Sequence, residues 1–133
     1  MIILQPNGWP RPKGYSNGIE AHGRQIYTAG VIGWNEREEF ETDDFAGQVR
    51  QCLLNIRAIL KEAGAEPEHL VRLTWYITDK KAYLDSLEGV GAAYRDVLGK
   101  VFPTMAVVQV AGLLEDRAQV EIEATAVVPE PNA

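Results

Sequence analysis

Apolar residues recur along this chain in two periods, and the changes of period mark out the elements. Phe45, Val49, Cys52, Leu53, Ile56 and Leu60 follow in steps of four, three, one, three and four, which is a helical stripe. Thr42 or Asp43 stands where an N-cap belongs, and Gly64 stands where such a helix stops. From Leu70 to Thr78 the period falls to two. Val71, Leu73, Trp75 and Ile77 share one face, and Arg72, Thr74, Tyr76 and Thr78 share the other, as in a strand with one side on a core. A second helical stripe, Tyr83, Leu84, Leu87, Val90, Tyr94, Val97 and Leu98, predicts a helix over Lys81–Gly99. Ile19–Ala21 and Gln25–Ile32 read as short strands, with His22-Gly23-Arg24 as a hairpin turn between them. Met105–Ala111 and Val120–Val128 read as two more. Residues 5–18 are rich in Pro, Gly and Asn and read as an extended loop, with Trp9 and Tyr15 as its anchors.

The order β-β-α-β-α-β-β predicts a single α+β domain over residues 1–133, a two-layer sandwich with two helices on one face of a sheet. Two layers leave the other sheet face bare. Met105–Val110 is apolar on both faces, broken only by Gln109, and a strand of that kind implies cover on both sides. The expected cover is another copy of the chain. In the last strand Val120, Ile122, Ala124 and Ala126 suit the helices, which puts Glu121, Glu123 and Thr125 on the face awaiting a partner. A carboxylate buried there needs a cation, or it takes a raised pKa and becomes a candidate acid or base.

Composition narrows the chemistry. With 133 residues, 46% hydrophobic and 24% charged, the chain is an ordinary globular domain. A net charge of −6, with Lys80-Lys81 as the longest basic run, argues against nucleic acid as a partner. The single cysteine, Cys52, excludes an internal disulfide and lies on the helical stripe, which makes it a core thiol. His22 and His69 are isolated in turns, so no metal is expected. The segment Gly89-Val90-Gly91-Ala92-Ala93-Tyr94 lacks the third glycine of a dinucleotide loop, and no cofactor is expected. The N-terminus has no basic region and meets a proline after its short apolar run. It reads as neither signal peptide nor membrane span, and the expected location is cytoplasmic.

The C-terminal third carries a more specific pattern: Pro103-Thr104-Met105-Ala106, then Val108, Ala111 and Leu113, then Val120-Glu121-Ile122. It resembles the C-terminal signature of the Rid family, also called YjgF or endoribonuclease L-PSP. "GYSNGI", "IYTAGVIG", "QVRQCLLNIRAILKEAG" and "LVRLTWYITD" are similar to other parts of that family, so the resemblance spans nearly the whole chain. It implies a chorismate-mutase-like fold and a homotrimer with small-molecule clefts between subunits. It also implies hydrolysis of enamines or imines, such as 2-aminoacrylate, to ketoacids and ammonia. By position it assigns the water-handling role to Glu121, and substrate binding to Tyr15 and to the Gly30-Val31 backbone. The signature arginine that holds the substrate carboxylate is here Met105, followed along the expected cleft by Ala106 and Val107. A thioether does not reproduce a bidentate hold on a carboxylate. The resemblance therefore implies a deaminase acting on a substrate other than 2-aminoacrylate, in a cleft with Tyr15 and Trp34 as aromatic walls. Arg24 and Arg72 are the candidate replacements for the missing charge. The alternative is a non-catalytic small-molecule-binding trimer, and the net charge makes an endoribonuclease the weakest reading.

Overall fold

The computed structural model describes residues 1–131. Strands β1 (Ile2–Leu4) and β2 (Gly18–Glu20) form an antiparallel ribbon of their own. The main sheet runs in the order β3 (Arg24–Tyr27), β7 (Val120–Val128), β5 (Leu70–Ile77) and β6 (Thr104–Gln109), and β4 (Val31–Ile32) also pairs with β7. All pairings are antiparallel except β5 with β6. Helix α1 (Phe45–Glu62) packs against β7 and against α3 (Leu87–Leu98), with the short α2 (Lys80–Asp85) ahead of α3. The expected α+β two-layer architecture holds.

The α1 stripe is buried at every expected position, from Phe45 to Leu60, against Leu73, Trp75 and Ile77 of β5 and Val120, Ile122, Ala124 and Ala126 of β7. Burial of this kind stabilises by roughly 1.5–3 kcal/mol per large apolar side chain and is the main source of the fold's stability. Gln48 is a fully buried polar residue on the inner side of α1. Its amide donates to the carbonyls of Thr42 (3.2 Å) and Arg117 (3.0 Å) and accepts from the Gln119 N–H at 2.9 Å, tying the start of α1 to the entry of β7. Gly64 ends α1 with φ of +71°, a conformation that suits glycine.

Several expectations are corrected. The N-cap is Asp44, whose carboxylate accepts from the Gly47 N–H at 2.9 Å; Thr42 instead accepts from the Asp44 N–H, and Asp43 pairs with Arg117. The helix over Lys81–Gly99 is two helices, because Ser86 sits at φ −110°, ψ 11° and interrupts the ladder. Leu84 and Leu87 flank that break and remain half exposed. His22-Gly23-Arg24 is no hairpin turn, since β2 pairs with β1 and β3 with β7. A bulge between Leu70 and Arg72 buries Leu70 and leaves Val71 only partly covered. Trp9 and Tyr15 do not anchor their loop, being 60% and 41% exposed. Ser16 does so: its N–H and hydroxyl donate to the carbonyls of Pro103 (3.1 Å) and Phe102 (2.5 Å).

Candidate active site on the bare face of the sheet

Side chains that are neighbours in register share a face, so the pairings fix the membership of the uncovered side. Tyr76 lies between Glu121 on β7 and Val108 on β6; Thr74 lies between Glu123 and Ala106; Arg72 lies between Thr125 and Thr104. The Tyr76 hydroxyl donates to the Glu123 carboxylate at 2.7 Å. That hydrogen bond pushes the phenol above its ordinary pKa, and partial desolvation and the charges of Glu123 and Glu121 act in the same direction. Glu123 therefore has a built-in donor.

Glu121 has a different setting. A Cβ placed on Gly30 would lie 2.2 Å from one of its carboxylate oxygens and 2.8 Å from its carboxyl carbon. Glycine at that position, in the break between β3 and β4, leaves the space in which the carboxylate rests. Among the described residues the ion pairs are Arg37–Glu39, Arg50–Asp96, Lys81–Asp85 and Arg117–Asp43, so neither Glu121 nor Glu123 is neutralised by a cation of its own chain. Behind the strand edge lies Cys52, fully buried, its thiol donating to the Val31 carbonyl at 3.3 Å. Burial, and secondarily the Glu121 charge, push that thiol far up, which keeps it protonated and inert.

The other residues singled out by sequence are not gathered around Glu121 within one chain. Val31 pairs with Ile122 and packs against the core, presenting only backbone to the site. Met105 is in register with Leu73 and packs partly buried against the core, on the helix side of β6 and on the opposite face from Glu121. Val107 follows it on that side at 36% exposure, whereas Ala106 lies exposed on the bare face. Tyr15 is held beside Phe102 and Pro103 at the entry to β6, while Glu121 is level with Val108 near the strand's far end. That is about 16 Å along the sheet at ordinary strand rise. Trp34 packs against Phe40 with ring centroids 5.9 Å apart and planes tilted by 51°, and its carbonyl accepts from Asn55 at 2.7 Å, so it braces the loop between β4 and α1. Arg24 donates to the Ala63 carbonyl at 3.0 Å, beside the end of α1. Arg72 lies on the bare face and lines a polar cavity of about 220 Å³ with Tyr27, Thr74 and Glu123.

Tyr76 and Thr74 are the site neighbours that sequence reading missed. Alternation already placed both on the polar face of β5, but their partners on β7 depend on register, which no local pattern encodes. No group of His, Cys, Asp and Glu among the described residues is arranged to hold a metal ion, and no helix among them is long and apolar enough to cross a membrane.

Comparison with known proteins places the chain in a family. The profile of the family described as endoribonuclease L-PSP matches residues 10–128. A RutC family protein of Aquifex aeolicus is 38% identical over 119 residues, covering 89% of this chain and 92% of that protein. The 2-iminobutanoate/2-iminopropanoate deaminase of Escherichia coli K12 is 34% identical over 116 residues, 85% of this chain and 86% of that one. Among solved structures, a Rid-family protein of unknown function from Yersinia pestis superposes with a TM-score of 0.83 at 28% identity, over 96% of this chain and 98% of that one. That likeness carries the expected chorismate-mutase-like arrangement of sheet and helices. With the profile spanning nearly the whole domain and curated relatives above 30% identity, the chain belongs to the endoribonuclease L-PSP family, the Rid proteins.

Proposed function

We propose that this protein is a hydrolytic deaminase of small enamines or imines, working in clefts between the subunits of a cytoplasmic homotrimer. The observation that carries the reading is the Glu121 carboxylate, lodged against Gly30 with no cation paired to it among the described residues. Imine hydrolysis needs proton movements that one such group supplies. The carboxylate takes a proton from water as the oxygen bonds to the carbon of the protonated imine and the C=N electron pair passes to nitrogen. It then returns that proton to the nitrogen and takes up the hydroxyl proton as the C–N bond of the carbinolamine breaks, the carbonyl forms and ammonia leaves, and the proton so acquired passes to solvent. A relative of similar length bears the name of an imine deaminase, which supports the same reaction class here. Spacing supports an intersubunit cleft. Tyr15 and Glu121 stand too far apart in one chain to touch one small ligand, whereas the exposed Val107 and Val108 on edge strand β6 offer an apolar margin for a neighbouring copy. Met105 provides no charge for a substrate carboxylate, so the preferred substrate is one other than 2-aminoacrylate, with a larger apolar body.

The test compares Glu121→Gln with Glu123→Gln, using imines generated in situ by an amino-acid oxidase and following ketoacid release. Glu121→Gln is expected to lower turnover by about a hundredfold or more with melting temperature unchanged, since the amide keeps the shape and accepts no proton. Glu123→Gln should retain most activity. Equal losses in both, accompanied by a lower melting temperature, would mark a structural carboxylate pair and leave the non-catalytic binding protein as the better reading.

A further inference from the structure

Tyr76 is the group on the bare face that the hydrolytic steps leave unused. Its Cα pairs with that of Glu121, whereas its hydroxyl reaches Glu123, which stands opposite Thr74. The ring therefore runs diagonally past Glu121, with the half-exposed Val108 of β6 on its other flank. Side chains opposed across antiparallel strands have Cβ atoms about 5 Å apart, so Glu121 and the Tyr76 ring wall one narrow space. A phenol has a single proton to donate, and Glu123 takes it at 2.7 Å. The remaining lone pairs of the phenol oxygen have no partner among the described residues, so toward a ligand Tyr76 is an acceptor only. The charge of this face points the same way. Its rows across β7, β5 and β6 hold Glu121 and Glu123 against one cation, Arg72. Arg72 stands two rows from Glu121, and its Nε is directed to the Thr104 hydroxyl oxygen at 3.5 Å, on β6.

We infer that Tyr76 recognises the nitrogen in the Glu121 site: its oxygen accepts an N–H of a protonated imine that carries no carboxylate beside the nitrogen, and Glu123 positions it by holding the phenol proton. The inference rests on the deaminase reading for its link to turnover, and it narrows the substrate of that site. A protonated imine is a planar cation with N–H donors, which suits an acceptor flanked by two carboxylates. Its carbonyl product presents a lone pair where the imine presented an N–H. Two acceptors then face each other, so the oxygen that holds the substrate favours release of the product. A carboxylate on the substrate would add a like charge beside Glu121, and Met105 supplies no cation to offset it. The reaction that supplies such an imine is oxidation of a primary amine rather than of an amino acid.

Calorimetry with benzamidinium, a stable planar cation with N–H donors, tests recognition apart from chemistry. Benzamide, neutral and of nearly the same shape, is the control. Wild type should bind benzamidinium about tenfold more tightly than benzamide, as expected for one charge-assisted hydrogen bond. Tyr76→Phe keeps the ring, so it should weaken benzamidinium about tenfold and leave benzamide affinity and melting temperature near wild type. Glu123→Leu frees the phenol proton to turn toward the ligand and should have the same effect. Glu123→Gln, whose amide oxygen still accepts that proton, should recover to within about threefold of wild type. In turnover of the imine that an amine oxidase makes from benzylamine, Tyr76→Phe should raise KM about tenfold with kcat little changed, whereas Glu121→Gln lowers kcat. Equal wild-type affinity for the two probes overturns the inference, as does unchanged benzamidinium affinity in Tyr76→Phe. If the preference is found and depends on Tyr76 but no imine is turned over, the nitrogen site stands and the deaminase reading falls. If imines are turned over without that preference, the deaminase reading stands and this inference falls.

Discussion

Gly30→Ala separates a misplaced carboxylate from a damaged fold. The new methyl would lie 2.2 Å from a Glu121 oxygen and 2.8 Å from its carboxyl carbon, and the next nearest atom is again Glu121, its Cγ at 3.1 Å. To reach ordinary contact the carboxylate must retreat by about 1 Å, and a displacement of that size costs on the order of a hundredfold in rate when the group acts on the reacting atoms. The stability cost is small, since a flexible side chain swings aside for about 0.5–1.5 kcal/mol of rotamer strain. Gly33→Ala is the control. There the methyl meets the Gln48 carbonyl oxygen at 2.7 Å and its Cα at 2.9 Å, atoms of helix α1 that cannot yield without moving the helix. The expected outcome is a Gly30→Ala protein with near wild-type thermal melting and kcat/KM reduced about a hundredfold in the oxidase-coupled assay. Gly33→Ala should lose several degrees of melting temperature. Wild-type kcat/KM in Gly30→Ala would refute the reasoning, because Glu121 would then not need to be where it lies.

Sedimentation at micromolar concentration should give about three times the 14.7 kDa chain mass, and a persistent monomer would remove the shared cleft. Met105→Arg should raise affinity for 2-oxobutyrate by roughly tenfold, measured by calorimetry, as expected for one added charge-assisted contact; no change would mean that position 105 does not reach the ligand. Stability should fall as pH rises above 9.0, the ordinary value of the Cys52 thiol, because burial holds that thiol protonated in the folded chain while the unfolded chain releases it. Tyr83 and Tyr94, also raised by burial, extend the loss beyond 10.0. Their stabilising effect is fully present below these values. Thermal melts from pH 8 to pH 11 check this, and Cys52→Ala should show a shallower decline from a lower starting point.

The sequence by itself determined the elements whose burial is local and periodic. The α1 stripe, its end at Gly64, and the division of β7 into a helix-facing and a carboxylate-bearing side could all be read from residue spacing, because a period of 3.6 or 2 is imposed by backbone geometry alone. The signature around Pro103–Ala106 and Val120–Ile122 carried the family and marked Glu121. Tertiary structure decided what depends on partners distant in sequence. Register placed Met105 with Leu73 and Tyr76 with Glu121, so within one chain the thioether and the catalytic candidate fall on opposite faces. A bulge at Leu70/Arg72 displaced Val71, and the choice of β1 as the partner of β2 cancelled a plausible hairpin. Spacing made Gly30 a strand residue and the resemblance assigned its backbone to substrate, but only the tertiary structure shows the Glu121 side chain occupying the space its missing Cβ leaves.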